Sequence, residues 1–144
     1  MRYHDFHLRG YTVTESGRKI ELHLAYDYPG RVEKDSRIEF TDVACYRFSH
    51  TEGAIITDID EEPLPAFVKK EEAFLVSAAA QDGLRFWRDD ASGYLRHLEE
   101  AGYHAWRLES AIGFSGFVVA KAVREKEEPN QPSKPTAPSG RYSS

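Results

Sequence analysis

The chain has 144 residues, 40% of them hydrophobic and 30% charged, enough for one domain with a real core. No apolar run is longer than four residues, Phe117 to Ala120 being one such run, which excludes a membrane-spanning helix, and its N-terminus, Met1-Arg2-Tyr3-His4-Asp5, lacks the apolar stretch expected of a signal peptide. The net charge is −5; the segment from Pro129 carries Lys134, Arg141 and no acid, which leaves −7 on residues 1–128. That charge disfavours nucleic-acid and anionic membrane partners and suits a basic one.

Residues 3 to 14 read as a first strand. Phe6 and Leu8 alternate, and Tyr11 and Val13 continue one residue out of phase, so Arg9-Gly10 is a candidate β-bulge. Ser16-Gly17 signals a turn. Lys19 to Tyr26 then alternates cleanly, with Ile20, Leu22, Leu24 and Tyr26 on one face and Glu21, His23 and Ala25 on the other. Two such strands around a short turn predict an antiparallel hairpin.

Tyr28-Pro29-Gly30 and the charged run to Ser36 read as a loop. Arg37 to Ser49 is the third expected strand, with a bulge at Thr41-Asp42. Cys45, the only cysteine, lies in this apolar pattern and reads as a small buried hydrophobe; no internal disulfide is available. Thr51-Glu52-Gly53 is an expected turn, and Ala54 to Asp60 an expected fourth strand.

A helix is predicted from Pro63–Pro65 to Gln81. Its start suits proline, and the acids before it suit the positive end of the helix dipole. Leu64, Phe67, Val68, Glu71, Leu75 and Ala78 form one stripe, with Phe74 on its flank. Leu84 to Asp90 connects to a second helix, capped by Ser92, with Tyr94, Leu95, Leu98 and Ala101 inward and Gly102 as its stop. Tyr103 to Glu109 reads as strand five. Ile112-Gly113 reads as a turn, and Phe114 to Arg124 as strand six, apolar enough to be central.

The expected order is β-β-β-β-α-α-β-β. It predicts an α+β fold with a mainly antiparallel sheet and two helices packed on one face, in a single domain over 1–124. Residues 125–144, with four prolines among polar residues, read as a disordered tail.

No catalytic motif is found. Gly113-Phe114-Ser115-Gly116 has the wrong spacing for a nucleophile elbow, and the glycines make neither a dinucleotide fingerprint nor a P-loop. No cofactor or metal is therefore expected. Asp5, His7 and His23 are pocket candidates, because Asp5 and His7 share a strand face that His23 can join. Asp58 and Asp60, on one strand face about 7 Å apart, form an acidic group with Glu61 and Glu62. These four, with Arg85, Phe86, Trp87 and Arg88, are the partner-binding candidates, since arginine and aromatic residues together favour binding hot spots.

The layout of Tyr3-His4-Asp5-Phe6, of Ile38-Glu39-Phe40-Thr41-Asp42-Val43 and of Gly113 through Lys121 resembles small uncharacterised bacterial α+β proteins. Some families of this type are grouped with the immunity proteins of toxin systems. The resemblance spans 1–124 and implies partner binding without catalysis. The expectation is a non-enzymatic cytoplasmic binding protein, immunity-like or accessory, that engages a basic protein partner. Two alternatives are a small-molecule-binding or hydrolytic domain with a sheet-face pocket near His7, His23, Asp58 and Asp60, and a structural homo-oligomer paired through a sheet edge.

Overall fold

The structure, a computed structural model, describes residues 2–25 and 36–127, with side chains for all of these except residues 2–5, 51–57, 111 and 127. Six strands, three helices and one 3-10 turn follow in the order β1 (Arg2–Thr14), the turn Glu15–Gly17, β2 (Lys19–Ala25), β3 (Ser36–Thr41), β4 (Cys45–Glu62), α1 (Leu64–Lys70), α2 (Glu72–Gln81), α3 (Ala91–Ala101), β5 (His104–Ala120) and β6 (Ala122–Glu127). The expected α+β class with antiparallel pairing is what forms. The strands make one antiparallel sheet in the order β5-β4-β1-β2-β3-β6.

The two ends of that order, β5 and β6, are separated in the chain by Lys121 alone. Likewise β3 and β4 are separated by three residues. The sheet therefore curls until its ends belong to one bent strand, a corner in which strands switch neighbours. Lys121 N–H donates to Thr41 O at 3.1 Å and Ala44 N–H to Val119 O at 2.8 Å, so the ladder continues round the corner. Phe40 of β3 meets Trp106 of β5 with ring centroids 5.6 Å apart, although the two strands lie far apart in the sheet order.

Curling gives two cores, one on each side of β5. Ile20, Leu22, Leu24, Ile38, Phe40, Ile59, Trp106, Leu108, Phe114 and Val118 fill the inside of the curl. Phe67, Val68, Leu75, Tyr94, Leu98, Ala105, Phe117 and Val119 form the second core, under the helices. Alternation along β5 assigns its residues to one or the other. The strand is covered on both faces as its composition predicts, yet it is not central. It ends the sheet order and has β4 as its ladder partner. Cys45 is buried in the second core, where Tyr94 Oη donates to its sulfur at 3.4 Å, and burial pushes its thiol up to about 11.

The bulge at Arg9-Gly10 is present as a register shift between Leu8 and Gly10. Both glycine turns expected inside the later strands are absent. β4 runs unbroken through Thr51-Glu52-Gly53, and β5 runs unbroken through Ile112-Gly113. The register slips between His50 and Asp58, opposite Glu109 to Phe114. The glycines thus mark facing bulges that bend a two-stranded ribbon, not reversals. The bend is sharp. Ten residues of straight strand span ~33 Å, yet the Arg107 guanidinium carbon lies 5.7 Å from the Phe117 ring.

Three other expectations change. The first helix divides at Glu71, whose φ of −101° and ψ of 15° leave the helical range, so three helices form where two are expected. The cap of α3 is Asp90, which accepts from Gly93 N–H at 2.9 Å; Ser92 lies inside the helix. Asp90→Ala is expected to cost about 1 kcal/mol and Ser92→Ala nearly nothing, a difference that thermal melts of the two variants will show. Finally, β6 continues through Glu127, so Glu125 and Lys126 belong to the sheet. The loop expected at 28–35 and the tail from Pro129 lie outside the described residues.

Candidate functional site

The acidic candidates lie at the end of β4, where Asp58, Asp60 and Glu62 fall on the face that carries the helices and Glu61, paired with Trp106, falls on the other. Cross-strand pairs there are Asp58 with Glu109, Asp60 with Arg107, and Glu62 with Ala105. Ala105 belongs to the helix-side core, and residues paired across strands share a face, so the whole row faces the helix side.

Arg107 organises this row. Its Nη1 donates to Glu71 and its Nη2 to Glu62, both at 2.8 Å, while its guanidinium lies near the Phe67 and Phe117 rings at 5.9 and 5.7 Å. Burial works against its charge, but the Glu71 and Glu62 carboxylates outweigh burial and raise its pKa. Glu71 sits at the break between α1 and α2, so the ion pair ties that break to the sheet. Lys70 also reaches Glu62, at 3.4 Å, and His104 pairs with Glu61 at 2.8 Å.

Glu61 and Glu62 are therefore engaged within the molecule. Asp58, itself also engaged, and Asp60 gather with Glu109, a residue the sequence patterning did not single out. The three carboxylates offer oxygen atoms that all lie within 4.8 Å of one another. Asp60 and Glu109 are exposed and have no ion-pair partner among the described residues. Only pairing of β4 with β5 in the shifted register sets Glu109 opposite Asp58, and no local signal marks it. An all-carboxylate set has the donors of a hard cation site, not of a transition-metal site.

The segment Arg85 to Arg88 is anchored by its aromatics. Phe86 stacks on His97 at 4.3 Å and lies 5.8 Å from Tyr103; Trp87 lies 5.6 Å from Tyr94. Both are half-buried against the helix-side core. Arg85 Nη2 donates to Val43 O at 2.9 Å, and Arg88 is exposed. The two arginines, more than the two aromatics, are what this segment offers to solvent.

The sheet-face pocket around the histidines is not assembled among the described residues. His23 Nε2 lies 3.1 Å from Thr12 Oγ1 and 3.8 Å from Glu21, and His7 is half-buried on β1. The side chain of Asp5 lies outside the described residues. The close neighbour of Asp58 and Asp60 is Glu109 and neither histidine.

A second charged constellation spans β2, β3 and β6 on the outside of the curl. Glu21 and Glu39 sit side by side as cross-strand partners. Lys19, Arg124 and Lys126 reach Glu39 at 3.0, 2.8 and 3.3 Å, and Arg37 and Lys126 reach Glu21 at 3.0 and 3.1 Å. Lys19 does most to hold the Glu39 carboxyl down to about 2; burial opposes it, and Arg124 and Lys126 assist. The alternation of Lys19, Glu21 and His23 signals a polar face, but its partners on β6 depend on a pairing that local pattern does not show. With every cation committed to a carboxylate, this network closes the curl and offers no open site.

Among the described residues no helix is long and apolar enough to cross a membrane. No protein-family model, no curated protein and no solved structure matches this chain.

Proposed function

We propose that the protein is a non-catalytic binding domain, immunity-like or accessory in role, that engages a basic protein partner through the acidic face around Asp60 and Glu109. The observation that carries this reading is the gathering of Asp58, Asp60 and Glu109 within 4.8 Å, with Asp60 and Glu109 exposed. Like charges opposite one another on a sheet destabilise it, and a cationic surface from outside would relieve that cost. The negative charge of residues 1–128 extends the same attraction to longer range. The rigid ribbon holds these carboxylates in place before any partner arrives, so little ordering is lost on binding.

Charge complementarity of this kind acts mainly on encounter. The immobilised protein should retain a basic protein from extracts of its own cells. An Asp60→Lys, Glu109→Lys double variant should lose that protein. With the partner in hand, the double variant should slow association about tenfold and flatten its dependence on salt. Retention of the same proteins at unchanged on-rates by the charge-reversed variant would rule this face out.

A further inference from the structure

Three segments distant in the chain meet at Val43, at the corner where β3 gives way to β4. Val43 N–H donates to Arg18 O at 2.8 Å, which holds the turn after β1. Val43 O accepts from Arg85 Nη2 at 2.9 Å, which holds the loop after α2. Between them lies a cavity of about 310 Å³, lined by Ser16, Gly17, Arg18, Gly83, Arg85 and the corner itself. That volume is at the small end of the range for ligand sites, which runs from about 300 to 1,000 Å³.

The lining residues include two arginines and no acidic residue, on a body, residues 1–128, whose net charge is −7. Of the other described arginines, Arg37, Arg107 and Arg124 are each tied to a carboxylate, and Arg47 lies over the Phe74 ring. Arg18 makes no ion pair among the described residues. Arg85 is fixed in place by its bond to Val43 and by the Phe86 ring beneath it, 4.5 Å from its guanidinium carbon. Phe86 is itself clamped on His97. One of the five N–H donors of Arg85 is spent on Val43, and the others remain.

The backbone around the cavity is strained. Ser16, Asp42 and Phe86 have φ of 58°, 52° and 76°, a region that side-chain-bearing residues seldom occupy and that clusters at functional sites. A Cβ built on Gly17 or Gly83 would meet no atom within 4 Å, so both glycines leave open space at the rim.

We propose that this cavity binds the phosphate group of a small phosphorylated ligand. Arginine forks match phosphate oxygens in paired hydrogen bonds. Arg18 and Arg85 come to the cavity from different segments, and Ser16, which also lines it, carries a hydroxyl that can serve as a third donor. Three separate donors address three peripheral oxygens, which a phosphate monoester has and a carboxylate lacks. The site is independent of the acidic face, opposite to it in charge, and stands whether or not a basic partner is found.

Titration of the full ¹⁵N-labelled protein with phenyl phosphate tests it, with acetate and sodium chloride at matched ionic strength as controls. Phenyl phosphate should give saturable shifts at the amides of residues 16–18, 43–44 and 83–85. Arg18→Gln should weaken binding at least tenfold with the melting temperature unchanged, because its exposed side chain makes no hydrogen bond, ion pair or ring contact among the described residues. Arg85→Lys, which keeps the charge and loses the fork, should also weaken it. Equal shifts with sodium chloride, equal affinity for acetate, or undiminished binding by Arg18→Gln would overturn the assignment. A phosphoserine peptide serves as a second probe. Binding more than tenfold tighter than phenyl phosphate would place the phosphate on a modified protein chain; equal or weaker binding would place it on a free small molecule.

Discussion

Replacing Phe117 by alanine is expected to lower the free energy of unfolding by about 3–5 kcal/mol, the range for a large aromatic removed from a packed core. Phe117 is 1% exposed. Its ring meets Phe67 edge-on at 4.8 Å and Phe74 at 5.6 Å, so it is the point where α1, α2 and β5 converge. It also lies near the Arg107 guanidinium, and losing the ring loosens the ion pairs to Glu62 and Glu71. Urea denaturation should show a lower midpoint with an unchanged slope. A midpoint equal to that of the parent protein would contradict the packing of α1 and α2 against β5.

The second large effect is expected at Glu39, which is 2% exposed and surrounded by Lys19, Arg124 and Lys126. Glu39→Gln keeps the shape and removes the charge, which leaves three cations around a neutral amide. The cations themselves are one-third to two-thirds exposed, so solvent screens part of the interaction, and the expected loss is about 2 kcal/mol. The pH dependence identifies the cause. The folded carboxyl lies at about 2 against an ordinary 4.5. The unfolded chain therefore binds the proton first. The stabilisation is fully present above about pH 4.5 and disappears as pH falls towards 2. In the glutamine variant that part of the acid limb should be flatter, while the stability difference from the parent narrows below pH 3. A constant difference between pH 2 and 7 would show that Glu39 acts by packing and not by charge.

Local patterning reached a long way into this fold and only partly into its surfaces. The alternation of Ile20, Leu22 and Leu24 assigns β2 and its buried face, and all three are indeed in the core. The Phe67, Val68 and Leu75 stripe assigns the buried side of the helices. Gly102 stops α3 with a φ of 83°, as a terminal glycine should. These features depend on neighbours within a few residues, which the chain order already contains.

The errors share one origin. Gly53 and Gly113 carry the same signal whether a strand reverses or bulges, and the choice depends on whether the other strand bulges opposite it. Ser92 and Asp90 are both good caps, and the geometry of the preceding loop selects Asp90. Of the site residues, Asp58 and Asp60 are legible as paired acids, whereas Glu109 joins them only through the shifted β4–β5 register. Arg18 and Arg85 are 67 positions apart in the sequence, and it is the Val43 corner that sets them at one cavity. The sequence by itself determined the inward faces of β2 and of the helices, the outer limits of the helical region to within a few residues though not its break at Glu71, and the excess of negative charge, because period and composition are local properties. The tertiary structure alone decided how the sheet closes, which carboxylates are held by cations and which gather with one another, and which two arginines line one cavity, because each depends on pairing between strands or loops that local periodicity does not encode.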